Sequence, residues 1–208
     1  MTELHLHLDG SLRPETVSSL AVSEKLITDE ESIHILSHLQ VSDQCTSLSD
    51  YLNCFDLPIR LLQTPDIIER VTFELAEDLA HENINYAELR FAPAPFIRKG
   101  FSQTEITQAA VRGAKKAMQQ YPQIRIGLIL CCMRGPHLEK ENTETIKTAA
   151  MLLGNIVCGV DLAGAEALFP TADYADLFRL ATALDVPFTI HAGEAAGPGL
   201  PAVHPEEA

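Results

Sequence analysis

Glu3-Leu4-His5-Leu6-His7-Leu8-Asp9-Gly10 is the stretch that decides how the rest of the chain is read. Polar and apolar residues alternate strictly from Glu3 to Asp9. On a β-strand, Glu3, His5, His7 and Asp9 then project from one face and the three leucines from the other. A polar row on a strand with an apolar reverse face needs a chemical reason. Two imidazoles two residues apart lie close enough to share one metal ion, and the carboxylate two residues on stands at the strand's C-terminal end, where barrel active sites are built. Taken alone, His5 and His7 are equally well read as a pair of hydrogen-bonded core histidines.

Outward from this strand, short apolar runs alternate with longer segments of helical period, the pattern of strand-helix units around a parallel sheet. Five strands are expected, over 3–9, 85–91, 124–132, 155–161 and 186–191, several of them continuously apolar as strands buried on both faces are. Helix starts are signalled by Pro14, by Thr64 before Pro65, by Ser102 with Glu105 three residues on, and by Thr171 after Pro170. Ile68, Val71, Leu75 and Leu79 form one apolar stripe. The long interval between the first two strands holds further helical signals, a polar stretch over 42–49 and Pro58 within the run 51–62. It reads as extra helices over one end of the sheet. The expected fold is therefore α/β, with about five strand-helix units and a helical insertion after strand 1, in a single domain spanning 1–208. The insertion covers 11–64, and 199–208 is a tail without helical or strand period.

At 208 residues and 46% hydrophobic content, one substantial core is affordable. Twenty-nine acids against fifteen bases give a formal charge of −14, which repels phosphate backbones and anionic lipid, so neither nucleic acid nor a membrane surface is an expected partner. No apolar run reaches the roughly 20 residues a membrane-spanning helix needs, and the N-terminus lacks the basic start and apolar core of a signal peptide. A cytoplasmic location is the expectation. The five cysteines, with no CxxC spacing, fit free thiols in a reducing compartment. Cys131 and Cys132 must point to opposite faces of their strand, and packing is their expected role.

Two other strand ends carry chemistry-bearing residues. His191-Ala192-Gly193-Glu194 follows the apolar run 186–190, so a third imidazole could complete three protein ligands while Glu194 reaches the same cavity without ligating. The plain alternative is a strand-end histidine with a solvated glutamate. Asp161-Leu162-Ala163-Gly164 places a glycine at another strand end, where it either makes a turn or lets a ligand approach the backbone. Glu88 and Arg90, on one face of the second strand, are expected to pair as structural ions, and His34, His38, His81, His137 and His204 to lie on the surface.

Glu3 to Gly10, Arg90-Phe91-Ala92-Pro93, Asp161 to Gly164 and His191 to Glu194, in this order, resemble the adenosine deaminases of the metal-dependent hydrolase superfamily. The likeness runs from about Glu3 to Pro198 and includes Phe55-Asp56-Leu57, which in that family helps to form a lid. The resemblance implies a (β/α)8 TIM-type barrel, one Zn2+ held by His5, His7 and His191, and Glu194 as the proton donor to the purine ring. It further implies that Asp9 meets the ribose hydroxyl and that the backbone N–H of Gly164 meets another ring nitrogen. The implied reaction converts adenosine or deoxyadenosine and water to inosine, or its deoxy form, and ammonia. Adenine or another aminopurine is the alternative substrate, and a noncatalytic zinc-binding remnant the alternative role. A barrel of this kind has eight units, so the 208 residues read as an incomplete barrel lacking the C-terminal part. In the family that part brings a histidine that orients the attacking water and two adjacent aspartates, one of them a zinc ligand. Open sheet edges are expected to favour self-association.

Overall fold

In a computed structural model the described residues are 1–41, 45 and 51–193. Four parallel strands form one sheet in the order β1 (Thr2–His7), β2 (Tyr86–Phe91), β3 (Arg125–Met133), β4 (Val157–Ala163). Each strand lies beside the one before it, the sequential order that strand-helix units give. The crossovers are α-helical: α4 (Pro65–His81) before β2, α5 (Gln103–Gln120) before β3, and α6 (Glu139–Leu152) before β4. Between β1 and α4 lie the shorter helices α1 (Pro14–Ser23), α2 (Asp29–Ser32) and α3 (Asp56–Leu61), with 3-10 turns at Ile35–His38 and Asn53–Phe55. Helix α7 (Ala175–Ala183) follows β4, and the start signalled at Thr171 opens as a 3-10 turn, Thr171–Tyr174, before the helix proper.

The two faces of the sheet differ as the strand period requires. Leu89, Leu128, Leu130, Cys132 and Leu162 join the main core beneath the helices, whereas Cys131 packs on the other face with Ala92 and Ala163. The expected stripe of α4 is buried in full, with Ile68 at 0% and Val71 at 2% exposure. Ser102 and Glu105 form a reciprocal capping box at the start of α5. Gly113 sets how closely α4 and α5 approach, since a Cβ there would stand 2.3 Å from the Glu69 carbonyl oxygen.

Two sequence expectations are corrected. The alternation of the first strand is not strict in space: Glu3 pairs with Ala87 but Leu6 with Leu89, so a β-bulge puts one extra residue into β1. Arg90 does not pair with Glu88. Its guanidinium reaches two strands across to Asp161, while Glu88 accepts a hydrogen bond from the Tyr86 hydroxyl. The fifth expected strand is present only as a bridge between Phe188 and Val160. The run lies parallel to β4, held by Val160 N–H to the Pro187 carbonyl, Thr189 N–H to the Val160 carbonyl and His191 N–H to the Leu162 carbonyl. Pro187 has no amide hydrogen to donate, which limits the ladder.

Candidate metal centre

The C-terminal ends of the strands surround a cleft of about 770 Å³, lined among others by His7, Asp9, Phe55, Gly164 and His191. His5 and His7 come from β1, at one edge of the sheet, and His191 from the run beyond β4, at the other. The sheet curls far enough for the two edges to meet through side chains. Nε2 of His191 stands 2.9 Å from Nε2 of His5 and 3.0 Å from Nε2 of His7. Among the described residues these three form the group of histidine, cysteine and acidic side chains able to hold one metal ion.

Charge fixes how the three rings present themselves. Nδ1 of His191 lies 2.6 Å from Oδ2 of Asp161, set off the line of a well-formed hydrogen bond. A proton on Nδ1 faces that carboxylate favourably, which leaves the Nε2 lone pair directed at His5 and His7. A carboxylate behind a ligating imidazole selects the tautomer in this way. Asp161 is fully buried. Burial works against its charge, but the contact with His191, the Arg90 guanidinium at 2.9 Å and the Leu162 amide hold its carboxyl below the ordinary range. Arg90 is itself fixed by the Leu4 carbonyl. Burial, then the neighbouring His191 and His5, pull His7 down to about 4, against the raising effect of Asp161, so its ring is neutral, the ligating form, at physiological pH.

The donor set suits zinc. Three imidazole nitrogens at about 2.0–2.1 Å from a tetrahedral ion stand about 3.3 Å apart, so the two contacts of His191, at 2.9 and 3.0 Å, need to open by only a few tenths of an ångström. Asp9 lies beside it, buried, with Oδ1 lacking a hydrogen-bond partner among the described residues. Burial pushes its carboxyl up to about 6, although its own amide and that of Gly10 pull the other way. A buried acceptor facing a cleft without a partner is poised for a donor from a ligand. Gly164 lines the same cleft with φ +111°, a backbone that L side chains rarely adopt. The Cys131 thiol, 3.9 Å from Oδ2 of Asp161, is kept protonated by burial and by the charges of Asp161 and Asp9.

Of the residues singled out from sequence, His5, His7, Asp9, Gly164 and His191 meet in this one cleft. Glu194, the tail over 199–208, His204 and most of the polar stretch 42–49 lie outside the described residues. Three contributors went unread. Asp161 stands in the sequence as the first residue of the strand-end motif that closes on Gly164, with no role of its own, Arg134 follows β3 at the same level as the other strand ends, and Glu166 follows Gly164 by two residues. The signal for Arg134 was its position, a lone charge immediately after the apolar run of β3.

A family model described as adenosine deaminase matches residues 1–204. An adenosine deaminase of Haemophilus ducreyi is 40% identical over 200 residues, covering 94% of this chain and 58% of the relative. One of Clostridium perfringens is 42% identical over 193 residues, covering 92% and 58%. The chain thus spans under two thirds of the length of these relatives. Among solved structures, the N6-mAMP deaminase of Arabidopsis superposes with a TM-score of 0.79 at 27% identity, over 95% of this chain and 60% of that one. An amidohydrolase of Burkholderia ambifaria with bound Zn superposes with a TM-score of 0.82 at 25% identity, over 93% and 52%. Both neighbours are longer than this chain, and the four-stranded parallel sheet with its helices corresponds to an incomplete barrel of their kind.

Proposed function

The chain belongs to the adenosine deaminase family, and from that premise we propose that it forms the metal-binding part of an enzyme that hydrolytically deaminates adenosine or deoxyadenosine. The observation that carries this reading is the meeting of His5, His7 and His191 at one point, with Asp161 behind His191. These three side chains would hold a zinc ion. When bound, the ion supplies the Lewis acidity that makes water nucleophilic near neutral pH.

The chain's own residues do the rest of the work assigned to it. Glu194 gives a proton to the purine ring nitrogen beside the carbon under attack, as a general acid in a water-poor cleft can. The Gly164 amide donates to another ring nitrogen, at a place where the absence of a side chain leaves the backbone open to the ligand. Asp9 accepts a hydrogen bond from a ribose hydroxyl, which supplies the missing partner of its Oδ1. Tyr51, Leu52, Phe55 and Ile59 border the cleft on one side, with the Phe55 ring 6.3 Å from that of His7. Adenosine and water give inosine and ammonia. The likeness to the Arabidopsis N6-mAMP deaminase supports a second reading, in which the substrate is another aminopurine compound.

A chimera tests the proposal: residues 1–198 replace the matching part of the Haemophilus ducreyi relative, so that the barrel is complete. Adenosine conversion, followed by ultraviolet absorbance with zinc supplied, is expected, and Glu194→Gln is expected to lower it by at least about 100-fold, as loss of a general acid does. A folded, zinc-loaded chimera inert towards adenosine would overturn the reading. Conversion of a different aminopurine in a substrate panel would establish the second.

A further inference from the structure

We infer that Arg134 and Glu166 are positioning residues that clamp the His191–Gly193 turn from both ends, and that the metal affinity of the histidine trio depends on them. Among the described residues the run 186–191 is attached to the sheet by three backbone hydrogen bonds along one side, and the last of them, His191 N–H to the Leu162 carbonyl, is the one that holds His191. A ligand must be held to within about 0.5 Å of its productive place. An edge run of this kind does not supply that by itself.

The clamp does. Nη2 of Arg134 donates to the His191 carbonyl at 2.6 Å, and Oε1 of Glu166 accepts from the Gly193 amide at 2.9 Å. Gly193 has φ +82°, so the backbone turns there into a conformation that needs fixing from outside. Arg134 is anchored in its turn: its amide binds the Ala163 carbonyl, Nη1 the Phe169 carbonyl and Nη2 the Thr171 hydroxyl, with its guanidinium over the Tyr174 ring. One side chain therefore ties the end of β3, the loop that carries Gly164 and the turn that carries His191.

The chemistry of the pair argues against plain structural filling. Arg134 is 5% and Glu166 4% exposed, and among the described residues Arg134 binds two carbonyls and a hydroxyl, with the charge of Glu166 nearby. Burying the Arg134 guanidinium costs stability that an apolar side chain of similar volume would not. What the charged pair adds is direction, because a planar guanidinium fork serves several acceptors at once in one geometry.

The inference rests on the zinc-site reading, and the test separates the two. Zinc affinity of the full chain is measured by competition with a chromophoric chelator, well below the unfolding temperature, in the parent, His191→Ala, Arg134→Lys, Arg134→Met, Glu166→Ala, Glu166→Gln and the core control Ile146→Val. The parent is expected to bind zinc and His191→Ala to lose it. Arg134→Met and Glu166→Ala are expected to weaken binding about 10- to 100-fold, the range for groups that orient a ligand. Arg134→Lys is expected to weaken it about 10-fold, since a lysine cannot fork. Glu166→Gln, which keeps an acceptor oxygen for the Gly193 amide, is expected to stay within about 3-fold of the parent. Ile146→Val lowers the Tm and leaves zinc affinity unchanged. Parent-like affinity in Arg134→Met, Arg134→Lys and Glu166→Ala, with His191→Ala still defective, overturns the clamp alone. A parent that holds no zinc overturns both readings, and if either truncating variant fails to fold, Arg134→Lys decides.

Discussion

Single residues at this site are placed at a cost to stability, and Asp9 shows how much. Its carboxyl titrates near 6 in the folded chain against 3.8 without burial, so the folded state binds the proton more tightly than the unfolded one. Stability on this account is greatest below about pH 4, falls as pH rises from 3.8 to 6, and stays reduced above that by about 3 kcal/mol. Asp9→Asn removes the charge, and urea unfolding is expected to find the variant more stable than the parent at pH 7.5 by up to that amount, with the gain gone at pH 3.5. A gain equal at both values contradicts the assignment. The residues that decide the site were unequally legible. His5, His7, His191, Asp9 and Gly164 declared themselves because strand period and strand ends are local properties of the sequence. Asp161 as the partner of Arg90 and His191 did not, since that contact depends on the register of β2, β3 and β4 and on a separation of 71 residues. Glu88 was the nearer acid in sequence and the wrong one.

Elements were read well where their signals are local. Parallel strands covered on both faces are continuous apolar runs, and the capping box of α5 and the proline starts of α1 and α4 stand in four residues or fewer. The bulge in β1 has no such signal, because it arises from how β1 meets β2. The contact between α4 and α5 is similar: Gly113 reads as a poor helix residue, and only the packed pair shows that a side chain there has no room. Ala at 113 gains about 1 kcal/mol of helix propensity. Its Cβ, however, would stand 2.3 Å from the Glu69 carbonyl oxygen and 2.9 Å from the Thr72 Cβ, and such overpacking costs about 1–3 kcal/mol. Gly113→Ala is therefore expected to lower the Tm in a thermal unfolding scan. An unchanged or raised Tm would show that the two helices can part freely.

At the scale of the whole molecule, the candidate metal centre joins the first strand of the chain to the last run of the described sheet. His5 and His7 stand on one edge, His191 on the other, and the curl of the intervening strands brings their Nε2 atoms to within 3.0 Å in two of the three pairs. The site thus depends on the fold as a whole, and it exists only if β1 and the run beyond β4 bend towards each other in solution as they do here. The most direct measurement is the zinc K-edge X-ray absorption spectrum of the 208-residue chain loaded with one equivalent of zinc, with His191→Ala beside it. The expected result is three imidazole nitrogens at about 2.0–2.1 Å, falling to two in the variant. A first shell of oxygen donors without imidazole, or a spectrum that His191→Ala leaves unchanged, contradicts a centre closed across the two edges of the sheet.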